Sequence, residues 1–242
     1  MSFEYLSFLP ESGQVRKIAF ILHGYGVNAS YVRKIAYAYQ EHMDDVLVVA
    51  PQAPELCSGE DHGDGGFLPI PQQMIDDRSV PASDLDPEQR QWFGIETPDI
   101  DVMATRMDKV VRRLNDFADD ICAAHGLTSA DAAMTGFSQG GAVALCAAYM
   151  RGDNPFKCAI SHSSIFFAYE AFNGDGGFTS TCPTFFIYGN NDEEFSVKVF
   201  ENAAQAIGAH ASHFEVQEID GLKHKTDKRS RKEMAHYLAR HL

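Results

Sequence analysis

The sequence predicts an α/β fold built on a mostly parallel, doubly wound sheet with helices on both faces. Short, nearly continuous apolar runs recur along the chain, and longer amphipathic segments separate them. Strands that read as unbroken apolar runs are covered on both faces, as in a parallel sheet flanked by helices. A third observation is Gly136-Phe137-Ser138-Gln139-Gly140, which stands between an apolar run and a helix-compatible one, as a sharp strand-to-helix turn would.

Taken in order, Phe3 to Phe8 suits an opening edge strand, and Lys17 to Leu22 is the first buried strand. Ser30 to Met43 reads as a helix behind an N-cap, and Val46 to Ala50 as the next strand. Asp101 to His125 carries Val102, Met103, Met107, Val110, Val111, Leu114, Phe117, Ala118 and Ile121 at spacings of mostly three and four, and Gly126 ends it. Ala132 to Thr135 is the strand entering the turn, and Gly141 to Ala148 the helix leaving it. Lys157 to Ile160 and Thr184 to Tyr188 are further buried strands, and His213 to Ile219 alternates like a strand near an edge. Ser196 to Ile207, closed by Gly208, and Lys228 to His241 complete the helices.

Residues 51–90 break this rhythm. The stretch is rich in proline, glycine and acidic residues and shows neither period. A connection of that length in a compact fold is expected to serve as a lid-like excursion over the carboxyl edge of the sheet. No linker divides the chain, so residues 1–242 are expected to form one domain.

Twenty Lys and Arg against 34 Asp and Glu give a formal net charge of −14. That balance argues against nucleic acid or an anionic membrane surface as a partner, because both require clustered cations. Basic residues do gather between Lys223 and Lys232, where a solvated helix face is expected. Five cysteines, an odd number without metal-ligand spacing, fit a reducing compartment. Neither a signal peptide nor a transmembrane run is apparent, and a cytoplasmic location is expected. A second copy of the chain stays open as a partner, and no metal or cofactor is expected.

In the Gly-x-Ser-x-Gly turn, the Ser138 hydroxyl is exposed and helix-opening amides point at whatever it meets. A serine hydroxyl is a weak nucleophile without a base that is itself oriented by an acid. On this kind of sheet the acid and then the histidine follow the serine, at carboxyl ends of strands. Asp192 stands a few residues beyond the strand ending at Tyr188, with Glu193, Glu194 and Asp220 as competitors. Among His210, His213, His224, His236 and His241, only His224 falls in a loop leaving a strand's carboxyl end. Two backbone donors are needed for a developing oxyanion. Gln139 supplies one, and Tyr25, within His23-Gly24-Tyr25-Gly26 after an early strand, supplies the other.

With Leu22-His23-Gly24-Tyr25-Gly26, Ala50-Pro51-Gln52-Ala53-Pro54, Gln91-Trp92-Phe93, Gly136-Phe137-Ser138-Gln139-Gly140-Gly141 and Gly189-Asn190-Asn191-Asp192 in this order, the chain resembles the carboxylesterase, phospholipase and acyl-protein thioesterase family of α/β-hydrolases. The resemblance implies an α/β-hydrolase fold with a long excursion before the Trp-Phe motif. It implies a triad of Ser138, Asp192 and His224, an oxyanion hole from the Tyr25 and Gln139 amides, and Trp92 and Phe93 near the substrate. The implied activity is hydrolysis of carboxylic esters or thioesters through an acyl-enzyme, on short to medium acyl chains or lysophospholipid-like substrates. The chain departs from the family in having Gly94 after Trp-Phe and in placing His224 between Lys223 and Lys225. A lysine pointing inward there would disfavour a protonated imidazole.

Two rivals to that activity are a peptidase or lactone hydrolase on the same fold, and a binding protein that keeps the fold without catalysis. Phe166 and Phe167 are further candidates for an apolar pocket, and Glu60 to Asp64 reads as a solvated acidic loop rather than a cation site.

Overall fold

The computed structural model describes residues 3–57, 89–95, 99–165 and 180–242. In chain order the elements are β1 (Tyr5–Phe8), β2 (Lys17–Leu22), a 3-10 turn (Ala29–Val32), α1 (Arg33–Gln40), β3 (Val46–Pro51), β4 (Glu55–Leu56), β5 (Arg90–Gln91), α2 (Ile100–Ala124), a second 3-10 turn (Ser129–Asp131), β6 (Ala132–Phe137), α3 (Gln139–Tyr149), β7 (Cys158–His162), β8 (Thr184–Gly189), α4 (Val197–His210), β9 (Phe214–Ile219) and α5 (Lys228–His241).

Seven strands form one sheet in the order β1-β3-β2-β6-β7-β8-β9. Only β1 runs antiparallel, against β3, and every other neighbour is parallel. The near-continuous apolar strands explain this, because each residue of a central strand faces one of two covered sides. In β2, Ile18, Phe20 and Leu22 enter one core cluster while Ala19 and Ile21 enter the other. The first is closed by α2, α3 and α4 through Met107, Leu114, Leu145, Phe200 and Ile207. The second is closed by α1 and α5 through Ile35, Tyr39, Met234 and Leu238. Each such side chain contributes about 1.5–3 kcal/mol by leaving water. The predicted doubly wound sheet is therefore the observed one.

Three local expectations change. The helix expected over Ser30 to Met43 begins as a 3-10 turn, because the Asn28 side chain accepts the Ser30 N–H at 3.0 Å and fixes an earlier start. Gly208 does not close α4, which runs on to His210. Its missing Cβ instead makes room for the Phe214 ring, whose Cδ1 would lie 3.2 Å from one. The ribbon β4–β5 was not foreseen. It pairs Glu55 with Gln91 and Leu56 with Arg90.

That ribbon brings residues 57 and 89 together, and the Cys57 N–H donates to Gln89 O at 3.0 Å. The rest of the expected 51–90 excursion, including Glu60 to Asp64, lies outside the described residues. Arg90 also ties the ribbon to the loop after β2: Gly26 N–H donates to Arg90 O at 2.9 Å, and Arg90 N–H to Val27 O at 3.2 Å. Among the described residues no helix is long and apolar enough to cross a membrane.

Candidate active site

The carboxyl edge of the sheet holds the predicted turn. Ser138 sits between β6 and α3 at φ 54° and ψ −124°, a conformation that costs energy for any residue bearing a Cβ. Its N–H donates to His162 O at 2.8 Å, which pins the turn to β7. The flanking glycines are required by contact. A Cβ on Gly136 would lie 2.2 Å from Gly140 O, and one on Gly140 would lie 2.3 Å from His23 O.

Two other strand ends supply the partners. Asp192 follows β8, and its carboxylate is fully enclosed, with Oδ1 accepting the N–H groups of Glu194 at 2.9 Å and Phe195 at 3.0 Å. The His224 ring follows β9, with Nδ1 2.7 Å from Asp192 Oδ2 and Nε2 2.9 Å from Ser138 Oγ. With Nδ1–H donated to the carboxylate, Nε2 is the free acceptor, and the serine hydroxyl donates to it. The loops after β8 and β9 are stitched along their length. Asn191 N–H donates to Leu222 O at 3.1 Å, and Gly221 N–H to Asn190 Oδ1 at 2.7 Å. A Cβ on Gly189 would fall 2.0 Å from Leu222 O, so the two loops meet backbone to backbone.

The structure thus brings together Ser138, Asp192 and His224. Two of the three competing acids are used elsewhere, while Glu194 stands in the wall of the cleft beside Phe195 and leaves the His224 ring to Asp192. Glu193 binds the His224 backbone N–H and Lys223, and Asp220 accepts from Asn190 Nδ2 at 3.0 Å. His236 packs on His42 and His241 on Tyr237, away from the serine. Lys223 turns onto Glu193 Oε1 at 3.1 Å and Lys225 is exposed, so neither lysine takes the inward position considered from the sequence.

The loop after β2 forms the facing wall. Tyr25 lies there with its side chain half exposed, and the Gln139 N–H, first in α3, has no acceptor among the described residues. His23 anchors this loop from below. Its Nε2 accepts the Ala53 N–H at 3.1 Å, which leaves Nδ1–H to donate to Gly24 O at 2.8 Å. Complete burial pulls the His23 pKa down to about 4, so the ring stays neutral.

Trp92 and Phe93 sit in the core and are absent from the described cleft walls. Their backbone is held by a feature the sequence did not disclose, the side chain of Gln139. Its Oε1 accepts the Trp92 N–H and its Nε2 donates to Phe93 O, each at 2.8 Å. Trp92 Nε1 in turn donates to His23 O at 2.7 Å. Phe166 and Phe167 lie outside the described residues.

Above the serine opens a cleft of about 620 Å³ whose walls include Tyr25, Ile95, Met103, Ala142, Ile165 and Phe195. Behind it, the His162 ring is wholly buried with neither nitrogen hydrogen-bonded among the described residues. Burial first, and then the neighbouring His224, push its pKa down to about 3. Among the described residues no group of His, Cys, Asp and Glu is arranged to hold a metal ion.

Such a constellation is what acyl transfer through a serine requires. The family model described as phospholipase/carboxylesterase matches residues 81–242. The chain belongs to that family. As a member of an esterase- and thioesterase-type α/β-hydrolase family, it also shares its fold with solved enzymes across its whole length. It superposes on esterase PE8 with a TM-score of 0.76 at 22% identity, covering 100% of both chains. It superposes on the Bacillus cereus carboxylesterase with a TM-score of 0.70 at 13% identity, covering 99% of this chain and 95% of that one. For Zea mays acyl-protein thioesterase 2 the TM-score is 0.63 at 17% identity, with 99% of each chain covered. No curated protein matches the sequence significantly.

Proposed function

We propose that this family member is a serine hydrolase cleaving carboxylic esters or thioesters through an acyl-enzyme on Ser138. The observation that carries the reading is the unbroken relay from Ser138 Oγ through His224 to the enclosed Asp192, at 2.9 and 2.7 Å. His224 Nε2 takes the hydroxyl proton as Ser138 Oγ attacks the acyl carbonyl. Asp192 keeps the ring in the required tautomer and balances the imidazolium that forms. The amides of Tyr25 and Gln139 receive the oxyanion, and His224 then protonates the departing alcohol or thiol. Water, deprotonated by the same ring, releases the acid. The chemistry calls on side chains, backbone amides and water alone.

The apolar walls at Ile95, Met103, Ile165 and Phe195 favour short to medium acyl chains, with lysophospholipid-like esters as larger candidates. Trp92 and Phe93 support this wall from behind by fixing Gln139 rather than by touching the acyl group. The strained serine and hydrogen-bonded relay argue against a binding protein without catalysis, since such strain persists only where the surroundings enforce it. Steady-state assays on p-nitrophenyl acyl esters, acyl thioesters, peptides and lactones test the reading. It predicts turnover of the first two classes and loss of roughly four to six orders of magnitude in Ser138→Ala. Preferred turnover of peptides or lactones would establish the rival chemistry.

A further inference from the structure

We propose that the groove between α1 and α5 binds an anion carrying two or more phosphate groups. From the sequence, the run ending at Lys232 is expected to be a solvated helix face. The fold makes it one wall of a concavity of about 540 Å³, because α1 packs beside α5 and adds Arg33 and Lys34 opposite Lys228, Arg231 and Lys232. That volume lies within the range of sites for small organic ligands.

Charge argues for an anion. Among the described residues, five of the chain's 20 basic side chains line this one groove, in a protein of net charge −14, and Glu41 is the sole carboxylate in its walls. Lys34, Lys228 and Lys232 form no ion pair among the described residues, Arg231 commits one N–H, from Nη1 to Thr226 O at 3.2 Å, and Arg33 is buried with a partner of its own. Asp227, one residue before Lys228, is already engaged as the α5 cap, accepting the Ser230 N–H at 2.9 Å and pairing with Arg229. Like charges gathered in one groove repel one another, and an anion seated between them relieves that repulsion. The groove also receives the positive end of the α5 dipole, since Lys228 opens that helix. Lysine ammonium groups on two helices beside the Arg231 fork suit an anion with more than one phosphate. The site lies on the opposite face of the sheet from α3 and, among the described residues, shares no wall residue with the cleft at Ser138.

The phosphates could belong to a free metabolite or to a lipid headgroup, and two probes separate these sources. Isothermal titration of the whole protein with inorganic pyrophosphate reads the first. Co-sedimentation with phosphatidylcholine vesicles, with and without phosphatidylinositol bisphosphate, reads the second. Saturable binding to either probe is expected, weakening steeply with added salt. Lys34→Gln combined with Lys232→Gln should weaken it about tenfold or more, while the melting curve and ester hydrolysis stay as in the parent. Binding to pyrophosphate assigns a soluble ligand, and binding to the charged vesicles alone assigns a headgroup. Absence of saturable binding to both, or equal affinity in the double variant, would overturn the site.

Discussion

Glu193 Oε2 accepts the backbone N–H of His224 at 3.1 Å, while its Oε1 holds Lys223 Nζ at 3.1 Å. Consecutive residues thus act on one histidine, Asp192 on the ring and Glu193 on the backbone. Both contacts lower the Glu193 pKa, the His224 N–H more than Lys223. Glu193→Ala should reduce kcat about three- to tenfold by loosening the loop, the worth of one ordinary hydrogen bond. Glu193→Gln keeps an acceptor oxygen and should lose less. Lys223→Ala removes only an exposed pair and should change kcat by less than about twofold. Steady-state kinetics on the three variants check this order.

Gln139 has two separate duties, one through its amide and one through its side chain. Its side chain satisfies the buried Trp92 N–H and Phe93 C=O. In Gln139→Ala the backbone amide at 139 survives, yet both groups lose their partners. Unfolding in urea should show a stability loss of about 2–5 kcal/mol, together with lower activity.

Gly189→Ala tests the contact between the two partner-bearing loops. The added Cβ would lie 2.0 Å from Leu222 O, two residues before His224, so the loop must retreat. Soluble protein, if recovered, should have kcat/KM reduced about a hundredfold or more, because small displacements of a reacting group are costly.

Acid sensitivity should arise from two buried neutral rings. The pKa of His23 is lowered to about 4 and that of His162 to about 3, both chiefly by burial. The unfolded chain therefore binds more protons below about pH 6.5. Their contribution to stability is complete above that pH and is lost as pH falls toward the folded-state values. Between about pH 7.5 and about pH 5 each should remove about 2 kcal/mol. Urea unfolding at the two pH values measures the drop, and His162→Phe should shrink it by roughly half.

Much of this was legible in the sequence for identifiable reasons. Lys17 to Leu22 and Val46 to Ala50 declared themselves as parallel strands because both of their faces are covered, leaving no polar alternation, and the second runs one residue further, to Pro51. Ser138, Asp192 and His224 could be ordered because the turn glycines and the strand ends are local signals. What stayed hidden depends on contacts between distant segments. Glu193 looked like a rival acid, since nothing nearby reveals that its carboxylate reaches the His224 backbone. Trp92 and Phe93 looked like pocket aromatics, whereas packing against His23 and Phe3 draws Trp92 into the core. Gly208 looked like a helix stop, and the Phe214 ring that explains it comes from the following strand.

The central claim is that the relay makes one hydroxyl nucleophilic. Intact-protein mass spectrometry after exposure to a fluorophosphonate, with peptide mapping of the adduct, tests it most directly. The relay predicts one adduct per chain on Ser138, absent in Ser138→Ala and formed far more slowly in His224→Ala. An unmodified protein, or an adduct on another residue that persists in Ser138→Ala, would contradict it.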